Sequence, residues 1–404
     1  MRILKVTQSY APFFEFGGPP VKVGALAKGL AARGHEVTVL TVDWRLEQRT
    51  AGGEASRRNN SPFGWQTADG GVTAIYLPPR LRYRAASWNP AVKRFCREQL
   101  QNFDVAHIFG LYDFLGPAAA AACVRRNIPY VLEPIGMFVP IVRSFLLKRI
   151  YHSIYGQRLF AQAARIIATS EQEAEELSRG GVNRDKIVLR RNGVEPPASW
   201  PERGAFRKRL GVPNDGKLAL FLGRLSRKKS PDLLLRAFAI LAQEEALSGL
   251  RLVFAGPDEG RMKERLARMA AELSVNARVY FVGGIFGLEK WAAYRDADVF
   301  VLPSQNENFG NTAAEAAAAG TPVVVTEQCG IAPLLANTAG LVVPHEAGAL
   351  SGAIRRVLCE AGLREKLVAG CAEVASRLDW DQPVRETEAL YRDLAAGASR
   401  NEKA

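Results

Sequence analysis

Cysteine and long apolar runs are both scarce in this chain of 404 residues. The five cysteines, at positions 96, 123, 329, 359 and 371, are odd in number and form no C-x-x-C pair, which argues against a disulfide framework and a structural zinc site. No apolar run approaches the ~18 residues of a membrane-spanning helix. The opening MRILKVTQSY has too short an apolar stretch for a signal peptide. We therefore expect small buried cysteines and a cytoplasmic protein.

Two signatures of phosphate-bound cofactors are also missing. Neither half of the chain carries G-x-G-x-x-G between a strand and a helix, which disfavours a nicotinamide-dependent enzyme. No D-x-D motif stands at the end of a predicted strand, where a complex of a metal ion and a diphosphate would be expected. The sequence therefore predicts neither a cofactor nor a bound metal ion.

Acidic residues are too few to balance the basic ones in the first half. Residues 1–200 hold 27 Lys and Arg against 16 Asp and Glu, an excess of 27 − 16 = 11 out of the formal net charge of +13. Much of it lies between Arg80 and Arg165, among aromatic residues such as Trp88 and Phe138. This clustering suits an anionic membrane surface or a diphosphate-bearing lipid, which would bring the protein to the inner face of the cell membrane. An ordinary solvated surface is the alternative, and nucleic acid is disfavoured because no nucleic-acid-binding module accompanies the charge.

Short apolar strands alternate with helical segments along the whole chain. In the first half the predicted strands are residues 3–7, 36–42, 72–77, 104–109, 130–133, 166–169 and 187–190. After a proline-rich linker at Pro196, Pro197 and Pro201, the pattern restarts with strands at Leu218, Leu252, Val279, Val299, Val323 and Leu341. An α/β chain of this kind predicts two Rossmann-like, doubly wound parallel-sheet domains, residues 1–196 and 197–379.

Two carboxylates stand eight positions apart in the stretch PSQNENFGNTAAEAAAAGTP, residues 303–322. Glu307 falls in the turn after an apolar strand, and Glu315 falls inside an alanine-rich helix over 311–319. The first turn of that helix, near Asn311 and Thr312, presents backbone N–H groups and the positive end of the helix dipole. The stretch therefore predicts a site for an anionic phosphate beside two carboxylates.

A cationic loop precedes this stretch in the same half. It reads GRLSRKKSPD, residues 223–232, between an apolar strand and an amphipathic helix. Arg224 can hold phosphate oxygens with its planar fork, and Lys229 supplies a compact charge. Because Arg227 and Lys228 are also basic, the neighbouring positions stay open as alternatives to Lys229.

The cations and carboxylates, taken together, resemble the retaining glycosyltransferase family 4, a family of GT-B fold whose pattern reads G-R-L…K-G followed by E-x7-E. The matching residues are Gly223, Arg224, Leu225, Lys229, Glu307 and Glu315. Further family marks follow in order, namely Gly17-Gly18, Asn192-Gly193-Val194, Gly256-Pro257-Asp258-Glu259, Trp380 and Tyr391. The resemblance covers nearly the whole chain. Two departures are Ser230 and Asn308, each where glycine is common, and the E-N-F-G-N form is similar to that of bacterial polysaccharide-building members.

The resemblance implies a fold, a reaction and roles for the matching residues. The two domains would face each other across a cleft, and the segment 380–404 would cross back to pack on the first. Glu315 would bind the nucleotide ribose, Glu307 the donor sugar, and Arg224 and Lys229 the diphosphate, without a metal ion. The remaining donor-binding residues would be Gly17, Gly18, Asn308, Phe309, Gly310, Asn311 and Thr312. We expect the transfer of a hexose, with retained configuration, to a glycan or lipid-linked acceptor.

Two residues of the first half match family segments near the acceptor. His107 lies in a stretch resembling D-V-V-H-x-H-G, where Phe109 takes the place of the second histidine. Glu133 begins a stretch, Glu133-Pro134-Ile135, in which the family often has histidine at the third position. Both are acceptor-side candidates by resemblance, and a hydrogen-bonded core histidine is the alternative for His107. Gly17-Gly18 could equally be a structural turn.

Two other functions stay open at this point. A sugar-nucleotide epimerase or hydrolase on the same architecture would turn over the donor without an acceptor. A basic membrane-binding protein that merely keeps the fold would bind a membrane without needing Arg224, Lys229, Glu307 or Glu315. Their joint presence favours a nucleotide-sugar-dependent transferase.

Overall fold

The fold comes from a computed structural model, which describes residues 1–14, 17–44, 59–83, 86–139, 145–213 and 216–401. The chain divides into two compact units. The first contains Met1–Gly193 together with Trp380–Ala404, and the second contains Val194–Asp379.

The first unit is built on a mainly parallel sheet. Its strands are β1 (Arg2–Thr7), β2 (Glu36–Val42), β3 (Asn59–Ser61), β4 (Gly64–Asp69), β5 (Val72–Leu77), β8 (Val105–Phe109), β9 (Tyr130–Glu133), β10 (Arg165–Ala168) and β11 (Ile187–Leu189), with β6 (Leu81–Tyr83) and β7 (Ala86–Trp88) forming a separate hairpin. The sheet order is β11-β10-β9-β8-β1-β2-β5-β4-β3. The order reverses between β1 and β8, as in a doubly wound sheet.

Helices cover this sheet. They are α1 (Gly18–Ala32), α2 (Ala91–Gln99), α3 (Leu115–Arg125), α4 (Phe145–Tyr151), α5 (Gln157–Gln162) and α6 (Glu171–Arg179). A π-helical turn, His152–Gly156, joins α4 to α5. Apolar side chains of β1, β8 and β9 are almost entirely buried between the helical layers, which explains why these strands are mainly apolar in the sequence.

All seven predicted strands of the first half are confirmed, and the structure adds an antiparallel pair at one edge that the sequence did not predict. There β3 and β4 form an antiparallel hairpin, and β4 pairs antiparallel with β5. These strands show no clear pattern in the sequence because β3 and β4 lie at the edge of the sheet, with no fully buried residue in either.

The second unit holds a purely parallel sheet of six strands. They are β12 (Leu218–Leu222), β13 (Arg251–Ala255), β14 (Val279–Gly283), β15 (Val299–Leu302), β16 (Val323–Thr326) and β17 (Gly340–Val343), in the order β14-β13-β12-β15-β16-β17. The helices are α7 (Ala205–Leu210), α8 (Pro231–Leu241), α9 (Met262–Glu272), α10 (Gly287–Asp296), α11 (Asn311–Ala318), α12 (Ala332–Leu335), α13 (Ala347–Cys359) and α14 (Leu363–Ser376). All six predicted strands are confirmed, and the order reverses between β12 and β15.

The last helix, α15 (Asp381–Asn401), belongs to the first unit. Val384 packs against Gly29 of α1, and Tyr391 is completely buried beside His107 of β8. Glu388 forms an ion pair with Arg33 and a hydrogen bond with His35, whose Nε2 lies 2.9 Å from a Glu388 oxygen. The helix is therefore held by apolar contacts and by charge. No helix in the described ranges is both long enough and apolar enough to cross a membrane.

We expect Gly29→Ala to destabilise the first unit. A Cβ at this position would stand 2.5 Å from Val384 Cγ2, and the branched valine has little rotamer freedom with which to move away. Overpacking of this kind typically costs about 1–3 kcal/mol. Thermal unfolding would measure the loss.

Gly352→Ala is the matched control, since Gly352 lies inside α13 with nothing within 4 Å of an added Cβ. Alanine there should stabilise the helix by about 0.5–1 kcal/mol. Changes of the same sign in the unfolding temperature of both variants would contradict the contact between α1 and α15.

Candidate functional site

The loops that follow β12 and β15 meet where the strand order of the second sheet reverses. Lys229, after β12, places its Nζ 2.8 Å from Oε2 of Glu307, after β15. Both side chains are mostly buried but reach solvent. Ligands of open α/β sheets bind at such a reversal, outside the carboxyl ends of the strands. The sheet topology thus joins a cation and a carboxylate that stand 78 residues apart in the chain.

A tight turn selects Lys229 from its basic neighbours. Arg227–Lys229 form one 3-10 turn, and Ser230 ends it with φ of 46°, immediately before α8. Gly223 lies beneath the lysine, since a Cβ there would stand 3.2 Å from Lys229 Cδ. His345 holds the turn from the other side, with Nε2 2.9 Å from Ser230 Oγ. It is therefore Lys229 that the turn directs to Glu307.

The backbone of Glu307 is fixed by the segment after β16. Its N–H donates to the Gln328 carbonyl and its carbonyl accepts from the Gly330 N–H, both at 2.8 Å. Gly310 has φ of 103°, and a Cβ there would come within 2.9 Å of Ile331. Burial alone would raise the pKa of Glu307, but the adjacent Lys229 ammonium brings that pKa below its ordinary value. Glu307 is therefore an ionised carboxylate in a rigid loop.

Arg224 lies at the open side of this pair. Its guanidinium is exposed, and Nη1 is 3.7 Å from the carboxylate of Glu259, a loose surface contact. Arg224 makes no direct contact with Glu307, although its charge contributes to the lowered pKa of that carboxyl. Its side chain can therefore reorient toward an anion.

Glu315 lies inside α11 and is held by two residues that the sequence analysis missed. Lys290 Nζ donates to Oε1 at 2.7 Å, and the Tyr294 hydroxyl donates to Oε2 at 2.8 Å. Burial, with the Glu315 carboxylate beside it, raises the pKa of Tyr294 well above its ordinary value, so the hydroxyl stays a donor. Lys290 and Tyr294 are four residues apart in α10, a spacing that puts both on one helix face and could have revealed the pair.

The other predicted donor-binding residues of the second unit surround the start of α11. Phe309 is buried in the core, so its side chain anchors the loop and only its backbone can face a ligand. Gly310 precedes the helix, and Asn311 begins it. Thr312 Oγ1 is buried without a hydrogen-bond partner in the described part of the chain. Asn308 follows Glu307 in the same loop.

Gly17 and Gly18 lie at the start of α1 in the first unit. Gly17 has φ of 88°, a backbone conformation that residues other than glycine rarely adopt, and Gly18 is the first helical residue. Pro19 and Pro20 occupy the first turn, where missing N–H groups break no helical bond. The backbone requirement at Gly17 supports a structural turn, and the role of both glycines toward a ligand stays a prediction.

The two acceptor-side candidates, His107 and Glu133, are both fully buried. Glu133 forms an ion pair with Lys22 of α1 and accepts from Arg190 Nη2 at 2.7 Å. Burial alone would raise the pKa of Glu133, but Arg190 and Lys22 hold it well below the ordinary value. The carboxylate balances two buried cations, and an acceptor-side role for Glu133 stays a prediction.

His107 occupies the same cluster. Its Nε2 is 3.4 Å from the Glu133 carboxylate, Nδ1 contacts the Tyr391 hydroxyl, and its ring stacks on Phe109 with centroids 3.9 Å apart. Burial lowers the pKa of His107 to about 3, so the imidazole is neutral. These contacts favour the core-histidine alternative. They also show what Phe109 does in place of a second histidine, since it packs against the first.

The described residues contain no group of three His, Cys, Asp or Glu side chains that could hold a metal ion. The cysteines are all free, and only Cys359 is exposed.

Comparison with known proteins identifies the family. The model of group 1 glycosyl transferases matches residues 202–371, and the glycosyl transferase 4-like domain matches residues 17–193. An uncharacterized glycosyltransferase of Methanocaldococcus jannaschii is 30% identical over 97% of this chain and 98% of its own. The chain belongs to glycosyltransferase family 4. The D-inositol 3-phosphate glycosyltransferase of Thermomonospora curvata is 34% identical to this glycosyltransferase over 93% of the present chain and 90% of its own.

Solved structures agree on the fold. The Anabaena protein HepE, in complex with UDP-glucose, superposes on the glycosyltransferase with a TM-score of 0.74 at 18% identity, over 96% of this chain and 99% of HepE. The GT-B class expected from the sequence is therefore confirmed.

Glu133→Gln should strongly destabilise the glycosyltransferase. The substitution leaves Lys22 and Arg190 buried without a counter-charge, and breaking a buried ion pair typically costs about 3–5 kcal/mol. Urea unfolding would measure the loss. The control is Glu175→Gln, which removes an exposed pair with Arg179 and should cost under about 1 kcal/mol. Equal unfolding midpoints for the two variants would show that the buried cluster does not stabilise the fold.

Proposed function

We propose that the enzyme transfers a hexose from a nucleoside diphosphate sugar to an acceptor hydroxyl, with the donor bound by residues 197–379 and the acceptor by residues 1–196. The observation that carries this proposal is the Lys229–Glu307 pair next to the start of α11. A lysine has three N–H donors, so Lys229 can keep Glu307 in place and still bind a phosphate oxygen. Glu307 would then accept hydrogen bonds from hydroxyls of the donor sugar.

The nucleotide ribose would bind to Glu315. Lys290 and Tyr294 each use one lone pair of the carboxylate, and each oxygen retains another that can accept from a ribose hydroxyl. The diphosphate would lie at the first turn of α11, where the dipole and backbone N–H groups favour an anion. The unpartnered hydroxyl of Thr312 in that turn supports this placement.

The proposed reaction is a front-face displacement that retains the anomeric configuration. The bond from the anomeric carbon to the diphosphate oxygen breaks while the acceptor oxygen bonds to the same carbon, and the acceptor proton passes to the departing oxygen. Charge accumulates on the diphosphate, where Arg224 and Lys229 would stabilise it. Removal of one such electrostatic contact typically costs ~10²–10³ in rate. Because two side-chain cations and a helix terminus supply this stabilisation, we propose that no metal ion is required.

The proposed acceptor is a lipid-linked glycan. The basic excess of the first half favours an anionic substrate or an anionic surface. A diphosphate-linked lipid is itself anionic and lies in a membrane. Inositol 3-phosphate, the compound in the name of the Thermomonospora relative, is the water-soluble acceptor to compare with it. Product analysis without acceptor also separates a transferase from an epimerase or hydrolase, which would consume the donor alone.

Nucleotide binding can be tested by thermal unfolding with UDP, GDP and ADP in turn. UDP comes first because HepE was solved with UDP-glucose. A nucleotide at ~100 times its dissociation constant stabilises the folded state by ~2.7 kcal/mol. We expect a shift with one nucleotide, lost in Glu315→Ala and kept in Glu272→Ala, which changes an exposed residue of α9. The absence of a shift with all three would contradict the proposed donor site.

Lys229→Ala should lower kcat by ~10²–10³ with the fold intact. The comparison is Lys228→Ala, which removes a charge that also lowers the pKa of Glu307 but leaves the 2.8 Å contact between Lys229 Nζ and Glu307 in place, so the rate should fall far less. Transfer would be measured from the nucleotide released, with EDTA present throughout. Full activity of Lys229→Ala would refute the proposed role of the lysine, and a requirement for added Mg²⁺ would refute metal independence.

A further inference from the structure

The segment from α4 to α5 turns apolar side chains toward solvent. Leu146, Leu147, Ile150 and Ile154 are 69%, 55%, 46% and 53% exposed, and we call these four residues the apolar stripe. The opposite side of the same segment is also apolar but buried, through Tyr151, Leu159 and Phe160 in the core. A surface helix normally places polar residues on its outer face. Here the outer face is unsuited to water.

The spacing puts the stripe on one side of the segment. Leu146, Ile150 and Ile154 follow one another at intervals of four, and Leu147 is three residues before Ile150. Exposed Phe114 extends the surface, since its ring lies 5.9 Å from that of Tyr155. Single exposed apolar residues are ordinary, but a contiguous group marks an interaction surface.

In the sequence between Glu133 and Glu171 no Asp or Glu occurs, whereas the segment that carries the stripe contains Lys148, Arg149 and Arg158. Arg149 and Arg158 are exposed on the segment that carries the stripe. Lys148 lies over the Tyr112 ring with its Nζ 5.1 Å from the centroid, so its charge stays close to the apolar surface. An apolar centre with a basic border matches the interface of an anionic bilayer, into which apolar side chains insert while cations meet lipid headgroups.

We propose that the apolar stripe docks the enzyme on an anionic lipid bilayer. The stripe inserts Leu146, Leu147, Ile150 and Ile154 below the headgroups, and Arg149 and Arg158 pair with anionic lipids. A protein partner of the same shape would need acidic groups around an apolar groove, and a second copy of this chain would bring two basic borders together. Charge therefore favours lipid over self-association. The proposal rests on the proposed function in one respect, since it brings the enzyme to the membrane that would hold a lipid-linked acceptor. The docking itself requires no donor.

The test is co-sedimentation of the full-length enzyme with vesicles of phosphatidylcholine alone or with 30 mol% phosphatidylglycerol. We expect binding to the anionic vesicles and at least tenfold weaker binding to the neutral ones. The double variant Ile150→Asn, Ile154→Asn should weaken anionic-vesicle binding by at least ~10-fold, because each side chain would lose apolar burial. Arg158→Gln should weaken it ~5-fold, which corresponds to about 1 kcal/mol per cation near the surface.

Two controls match these variants. Ile240→Asn changes an isoleucine of α8 that is 47% exposed, and Arg268→Gln changes an exposed arginine of α9. Neither should alter vesicle binding. Unchanged nucleotide-induced thermal shifts would show that the double variant is folded and that the donor site is separate from docking.

Three outcomes would overturn the proposal. The first is equal vesicle binding by the double variant and the wild type. The second is no binding of the wild type to anionic vesicles. The third is a dimer in solution that the double variant converts to a monomer without vesicle binding, which would assign the stripe to a second copy. Retained transfer to a water-soluble acceptor with lost vesicle binding would support the docking role specifically.

Discussion

The reversal of strand order between β12 and β15 is the constraint on which the donor side of the enzyme depends. Helices that cover opposite faces of the sheet diverge at this point, so the loops after the two strands can approach without a helix between them. Lys229 and Glu307 meet there only because the intervening strands β13 and β14 were added on the far side of β12. Every later feature of the site, from the bend at Gly310 to the helix that carries Glu315, follows from the position of those loops.

The sequence was sufficient for the parts of the fold that repeat a simple pattern. Buried parallel strands are short apolar runs, and all thirteen predicted strands are present, seven in the first unit and six in the second. The motifs also located Lys229, Glu307 and Glu315 on the elements where the structure has them. Local chemistry decided these predictions, since each motif combines a strand end, a turn and the start of a helix.

The sequence was insufficient wherever a residue's environment comes from distant parts of the chain. Glu133 resembled an acceptor-side carboxylate, but its partners Lys22 and Arg190 lie 111 and 57 residues away and make it a buried counter-charge. Lys290 and Tyr294 were missed because no pattern near them in the sequence indicates that they contact Glu315, which is 25 and 21 residues away. The edge strands β3 and β4 were missed because neither contains a fully buried residue, so no run of apolar side chains marks them.

The position of α15 has a consequence for the synthesis of the protein. Its Tyr391 completes the core of the first unit beneath β8, yet the ribosome makes residues 194–379 before it reaches this helix. During translation the second unit can therefore finish folding while the first still exposes the surface that Val384 and Tyr391 will cover. The unit that begins the chain is the last to be completed, and a nascent chain stalled before residue 380 would carry an unfinished amino-terminal core beside a complete carboxyl-terminal sheet.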